Sequence, residues 1–269
     1  MKYRYIIGSG WWCAEKEADT RQELLGDDSI RGKEFHQLWY QSVCKYSSPT
    51  KILIVDSASP IKPDINPDDS RLELLSLDVN AGHSTHHLGK FCGCVRAMQL
   101  GMMYALQCEV DYYVYVEQDA LLFGKGVIEK SIESMTTPYM FGSGEGTPLS
   151  TQQSLFIIRK DGILPFLKRL DSLSYTDNEI CPEEKFHLVC SKGPVSFLGW
   201  LSFNRHKNKL AKWFYWQAFK YLRNYDYLPV GYGRTRPINL DDEQFYFQHG
   251  ELIDLEKYLR KTSFKGFSD

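Results

Sequence analysis

The chain has 269 residues, 43% of them hydrophobic, enough for one large α/β domain or a domain with a small appendage. Its formal net charge of −2 gives no basic field of the kind that general nucleic-acid binding needs, so no nucleic-acid partner is expected. Seven cysteines include one close pair, Cys92-Gly-Cys94, without the second Cys/His pair of a zinc site; buried, reduced thiols and a cytoplasmic setting are expected.

The opening run MKYRYIIGSGWWC is too short in apolar residues for a signal peptide, and no apolar stretch reaches membrane-spanning length. Residues 3–7 predict a first strand. Gly8-Ser9-Gly10 follows, and glycines after a first strand let backbone approach a ligand closely, so Gly8 and Ser9 are candidates for a loop beside a nucleotide, with an ordinary tight turn as the alternative. Trp11 and Trp12 read as core aromatics. Residues 15–33 predict a surface loop or short helix. Residues 34–46 predict an amphipathic helix buried through Phe35, Leu38, Trp39, Ser42, Val43 and Tyr46, with His36 facing solvent.

Residues 51–55 (KILIV) predict a second buried strand that ends in Asp56-Ser57-Ala58-Ser59-Pro60. Asp56 is either an Asx turn closing the strand or a ligand contact, and its place after the second βα unit favours the ligand. Residues 72–79 predict a third strand. Asn80-Ala81-Gly82-His83 then leads into a helix over 88–106, buried along Phe91, Val95, Met98, Met102 and Leu106. Arg96 on this helix suits bidentate phosphate contact. His83, His86 and His87 lack zinc spacing, and acceptor or phosphate contact at a helix N-terminus is the preferred reading.

Residues 112–116 (YYVYV) predict a strand buried on both faces. It stops on Glu117-Gln118-Asp119. Two carboxylates at the C-terminal end of a buried strand are costly to leave unpaired, and that end is where ligands bind in open α/β sheets. Mn²⁺ or Mg²⁺, shared with diphosphate oxygens, is the simplest partner, which makes Glu117 and Asp119 candidate metal ligands. An Arg partner or a helix cap is the alternative.

Further strands are predicted at 139–142 and 154–158, and short helices at 127–134 and after Asp161. Gln152 and Gln153 are either amides for sugar hydroxyls or plain loop residues. Glu183 and Glu184 fall on the first turn of a helix, where carboxylates suit the dipole. Residues 207–223 are basic and aromatic. They form either a membrane-surface helix presenting Trp213, Phe214 and Trp216, or a helix that packs its aromatics on the main domain; packing is the expectation. A turn-rich loop carries Arg234 and Arg236, which would close over a diphosphate. An aromatic strand over 245–248 ends at His249.

The order of these motifs resembles that of GT-A glycosyltransferases, and is similar to family 2: Val55-Asp56-x-x-Ser59, Asn80-x-Gly82, the acidic-x-acidic triplet and the acidic pair Glu183-Glu184. Glu117 and the acidic pair depart from the family's usual Asp. The resemblance implies that Asp56 lies near the nucleotide base, that Asn80 and Arg96 serve the donor, and that Glu183 or Glu184 is the catalytic base, with Glu184 preferred. It also implies that His249 completes the metal site.

The expected architecture is a GT-A-like, Rossmann-like, mostly parallel sheet flanked by helices, with a C-terminal helical and loop extension. Residues 1–200 would form the nucleotide-sugar-binding and catalytic domain, and 201–269 an extension packed on it. The expected activity is metal-dependent, inverting transfer from a UDP-, GDP- or dTDP-sugar to a glycan, lipid or protein acceptor, with peripheral membrane contact as an open reading. A nucleotidyltransferase of related fold and a non-catalytic carbohydrate-binding domain are the alternatives.

Overall fold

The computed structural model describes residues 2–15, 28–85, 87, 89–144, 149, 151–232, 240–248 and 250–264. Short runs of β-branched and aromatic residues form the strands of a seven-stranded sheet: β1 (Tyr5–Trp11), β2 (Lys51–Asp56), β3 (Leu72–Ser76), β4 (Tyr112–Val116), β6 (Tyr139–Ser143), β7 (Thr151–Arg159) and β8 (Asp226–Tyr227), in the order β3-β2-β1-β4-β7-β6-β8. The sheet is parallel from β3 to β4; β7 runs antiparallel to both its neighbours, and β8 is parallel to β6. A second sheet joins β5 (Ala120–Phe123), β10 (Phe245–Gln248) and β9 (Gly231–Tyr232). The fold is α/β, with the mainly parallel sheet covered by helices, as expected.

Alternation along the strands sends one set of side chains to each face. On one face Tyr5, Ile7, Ile52, Ile54, Val114 and Val116 pack with α1 (Lys33–Tyr46), α3 (Val127–Glu133) and α8 (Leu252–Thr262). On the other, Ile6, Leu53, Tyr113 and Tyr115 pack with α2 (Gly93–Gln107), α4 (Lys160–Ser172) and α5 (Pro182–Cys190). A smaller core joins α5 to α6 (Val195–Asn204) and α7 (Lys209–Leu222).

Three expectations are corrected here. β1 runs on to Trp11, so Gly8 and Gly10 lie inside the strand rather than in a loop after it. The reason is Tyr113: a Cβ at Gly8 would come within 2.3 Å of its hydroxyl, and one at Gly101 within 2.2 Å, so two glycines make the slot that holds the phenol. His36 is buried rather than solvent-facing, with its ring 5.2 Å from Trp11 and 5.5 Å from Trp39. Burial lowers its pKa to about 4, with the Asp64 backbone and charge opposing the shift. Last, α7 buries only Ala211 and Tyr215, and leaves Trp213, Phe214 and Trp216 exposed instead of packed.

Candidate functional site

β1 has β2 on one side and β4 on the other, while the chain reaches β4 only after β2 and β3. The strand order therefore reverses between β1 and β4, and a crevice opens at their C-terminal ends. Trp11 pairs with Asp56 at the β1–β2 edge. Across the crevice, the Trp12 amide donates to Gln118 Oε1 at 2.7 Å, and Gln118 Nε2 returns a bond to the Trp12 carbonyl at 3.1 Å. The middle residue of the acidic triplet is thus a clamp that holds the loop after β1 against the end of β4.

The triplet is also the connection between the two sheets. β4 ends at Val116, a turn closes with the Ala120 amide donating to the Glu117 carbonyl at 3.0 Å, and β5 begins at Ala120 in the other sheet. β10 brings Gln248 opposite Ala120. Asp119 is nearly buried, and Arg31, from the short 3-10 turn Asp28–Arg31, reaches its Oδ2 at 3.4 Å. Arg31 lies in a stretch read from sequence as a surface loop or short helix, and nothing in the local pattern marks it.

Because β7 is antiparallel to β4, its N-terminal end lies at the same edge. The Glu117 amide donates to the Ser154 carbonyl at 2.8 Å, and Thr151 Oγ1 donates to the Glu183 carbonyl at 2.9 Å. Burial pushes the Cys94 thiol well up, and the charges of Glu117 and Glu183 push it further. Cys94, on the first turn of α2, therefore feels both carboxylates. Cys181 is raised first by burial and next by Glu183.

The acidic pair is split by its helix. Glu183 is half-buried, while Glu184 is 1% exposed and accepts from Ser202 Oγ at 3.0 Å and from Arg205 at 3.2 Å. Glu184, preferred from sequence, is committed to fixing α6 against α5. The next residue, Lys185, is fully buried and donates to Asp177 at 2.6 Å and to the Lys90 carbonyl at 3.0 Å; Asp177 also accepts from the Cys92 amide at 2.6 Å. This pair ties α5 to the start of α2, and no motif marks it.

Asp56 is 0% exposed and accepts from the Ser59 amide at 2.9 Å and from Lys62. Ser59 Oγ in turn donates to the Cys13 and Ile61 carbonyls at 2.6 and 2.7 Å. Asp56 thus closes the β2 loop, as an Asx turn does. Asn80 Oδ1 accepts from the Gly82 amide at 2.8 Å, a turn that Gly82 completes at φ +76. Arg96 uses Nε on the Phe91 carbonyl at 3.0 Å. Ser9 is buried, its Oγ 3.3 Å from the Gly10 carbonyl. Gly8 faces Tyr113, which removes it from ligand contact.

Arg234, Arg236, His249 and His86 lie outside the described residues. Among the described residues, no three His, Cys, Asp or Glu side chains form a metal-holding group. The seven cysteines are free; Cys13, Cys92 and Cys190 are buried, and Cys44, Cys94, Cys108 and Cys181 are partly exposed. No helix among the described residues is long and apolar enough to cross a membrane.

No protein-family model matches the chain, and no curated protein matches it. Among solved structures, S. aureus TarS in complex with UDP is similar at 12% identity and TM-score 0.38, over 74% of this chain and 55% of that one. The mannosyltransferase PcManGT from Pyrobaculum calidifontis, in complex with GDP-Man and Mn2+, is similar at 12% identity and TM-score 0.41, over 70% of this chain and 52% of that one. HddC from Yersinia pseudotuberculosis is similar at 10% identity and TM-score 0.44, over 97% of this chain and 99% of that one. The chain spans about half the length of the first two.

Proposed function

We propose that the chain transfers a sugar from a nucleotide diphosphate sugar to an acceptor hydroxyl, with Glu183 as the base. The observation that carries this reading is that the backbones of Glu117 and Glu183 both meet the N-terminal half of β7, through Ser154 and Thr151, at the C-terminal edge of the parallel strands. Ligands of open α/β sheets bind at that edge. One carboxylate set then faces the donor and a separate carboxylate faces the acceptor, which is the division of labour that glycosyl transfer needs.

Glu117 and Asp119, with His249 as a third donor, would hold Mn²⁺ or Mg²⁺. Two carboxylates from one turn fit a hard cation that takes its remaining ligands from diphosphate oxygens and water. Such a metal supplies charge neutralisation to the departing diphosphate. Arg31, already beside Asp119, adds a fixed cation at the same end of the donor, and Arg234 and Arg236 would close over it. Glu183 takes the proton of the acceptor hydroxyl as its oxygen attacks the anomeric carbon. The bond to the diphosphate breaks as the new bond forms, and a single displacement of this kind inverts the anomeric centre.

Glu183 replaces Glu184 as the base because Glu184 already holds Ser202 and Arg205. Asp56 serves the nucleotide by fixing the β2 loop through Ser59 and Lys62, not by offering a free carboxylate. Nucleotidyl transfer is the weaker reading, because the glycines that would cradle a triphosphate belong to β1 and pack on Tyr113 and Tyr115.

Calorimetric titration with UDP-, GDP- and dTDP-sugars, with and without Mn²⁺, tests the donor assignment. Asp119→Asn is expected to remove the metal-dependent part of donor affinity and leave the fold intact. Glu183→Gln is expected to keep donor affinity and lose turnover by about 10²-fold or more, the usual range for a general base. Wild-type turnover in Glu183→Gln would overturn the assignment of the base. Failure of every nucleotide sugar to bind would overturn the function.

A further inference from the structure

Residues 186–225 carry seven lysines and arginines and no aspartate or glutamate, in a chain whose formal net charge is −2. Arg205 is engaged by Glu184, and Arg223 lies over the rings of Tyr225 and Tyr227. The other five, Lys192, Lys207, Lys209, Lys212 and Lys220, are exposed, and none pairs with a carboxylate among the described residues. Five exposed lysines without a carboxylate partner among the described residues therefore border the α6–α7 hairpin.

The same hairpin exposes its apolar side chains. On α7, Leu210, Trp213, Phe214, Trp216 and Tyr221 are between 44% and 68% exposed. Leu210, Phe214, Gln217 and Tyr221 recur at helical spacing along one flank of the buried Ala211 and Tyr215, and Trp213 and Trp216 lie opposite that buried pair, beside Lys209 and Lys220. α6 adds exposed Phe197 and Trp200. Isolated exposed apolar residues need no explanation, but a run of this kind bordered by lysines does.

We infer that the α6–α7 hairpin docks the protein on an anionic lipid surface. Tryptophan, phenylalanine and leucine on one helix side enter the boundary between headgroups and acyl chains, while lysine stems follow the apolar surface and bring their ammonium groups to the phosphates. A second copy of the chain is a poor occupant, because matching this face with itself sets five unneutralised lysines against five. A nucleic-acid strand is a poor occupant as well. It needs a basic groove to track its backbone, and the outward side of a helix is convex. The inference stands apart from sugar transfer, although Glu184 links the two: its bonds to Ser202 and Arg205 put Glu183 on the same helical block as the docking face.

The test uses the full chain with phosphatidylcholine vesicles, with and without phosphatidylglycerol. The protein should sediment with the anionic vesicles at low salt, come off as salt rises, and show a blue shift of tryptophan emission when bound. Replacing Lys209, Lys212 and Lys220 by Gln should weaken partitioning about a hundredfold, at about fivefold per lysine. The pair Trp213→Ser and Phe214→Ser should weaken partitioning and reduce the emission shift, leaving only the part due to Trp200 and Trp216. All these positions are exposed, so the variants should keep the wild-type circular dichroism. Three results would each overturn the inference: a folded wild-type protein that ignores anionic vesicles at low salt; equal binding to neutral vesicles with no effect of the lysine changes; or a lipid-free dimer, or a complex with single-stranded DNA, that shields the tryptophans while vesicles do not.

Discussion

Asp56 separates what a residue is from what its neighbours let it do. Its position at the end of β2 is that of a ligand contact, and the Val-Asp-x-x-Ser pattern reads the same way. Yet burial is complete, and both oxygens have partners within six residues, the Ser59 amide and Lys62. Replacement by Ala strips an acceptor from each, so Asp56→Ala is expected to lower stability by about 1–3 kcal/mol. Chemical denaturation measures this, and an unchanged midpoint would return Asp56 to a ligand role. Glu183 and Glu184 make the same point from the other side. Sequence offered two equivalent carboxylates, and the helix buries Glu184 in the α6 contact while leaving Glu183 half-buried. Which residue of an adjacent pair points inward depends on where α5 packs, and that is set by residues far along the chain.

At the scale of elements, the pair Asp177–Lys185 anchors α5 to the start of α2 without any exposure to solvent. Removing one partner leaves a charge buried, so Lys185→Met is expected to cost about 3–5 kcal/mol by urea unfolding. The double variant with Asp177→Leu should recover much of that loss; no recovery would mean that the lysine's packing, not its charge, matters. α1 carries a second element-scale effect through His36. Its pKa is lowered by burial to about 4, so the unfolded chain takes up a proton near pH 6.5 that the folded chain refuses. Stability is then full above about pH 6.5 and falls by about 2–4 kcal/mol as pH drops through about 4. His187, lowered to about 3 by burial first and by Arg223 and Arg205 next, carries the loss to lower pH. His36→Phe should flatten the slope between pH 6.5 and 4 in denaturation curves, and an unaltered slope would assign it to other groups. The strands β1, β2, β4 and β10 and the helices α1, α2 and α7 were all legible as elements, because their apolar periods are strong. Their ends were not. β1 runs four residues further than its aromatic and branched core suggests, because Gly8 and Gly10 are needed there for tyrosine packing and not for a turn.

For the whole molecule, the parallel sheet followed from the alternation of strands and helices, and the crevice from the acidic triplet at the end of one strand. The two-sheet arrangement did not, because nothing local says that β5, directly after the triplet, will leave the first sheet and pair with a strand 125 residues further on. Arg31 at Asp119 was hidden for the same reason. Phe245, Tyr246, Phe247, Leu255 and Tyr258 are all buried against β5 and α1. A chain ended after residue 239 is therefore expected to aggregate or bind a hydrophobic dye at 25 °C, instead of giving a folded core; a cooperative melt in that fragment would refute this. The pairing of Gln248 with Ala120 also sets an order of events during synthesis. A ribosome releases the triplet long before it releases β10, so the carboxylates emerge with their supporting ladder still unmade. Closing a loop of that length comes late and slowly in folding. Until it closes, the nascent chain holds the sequence of its candidate site without the site.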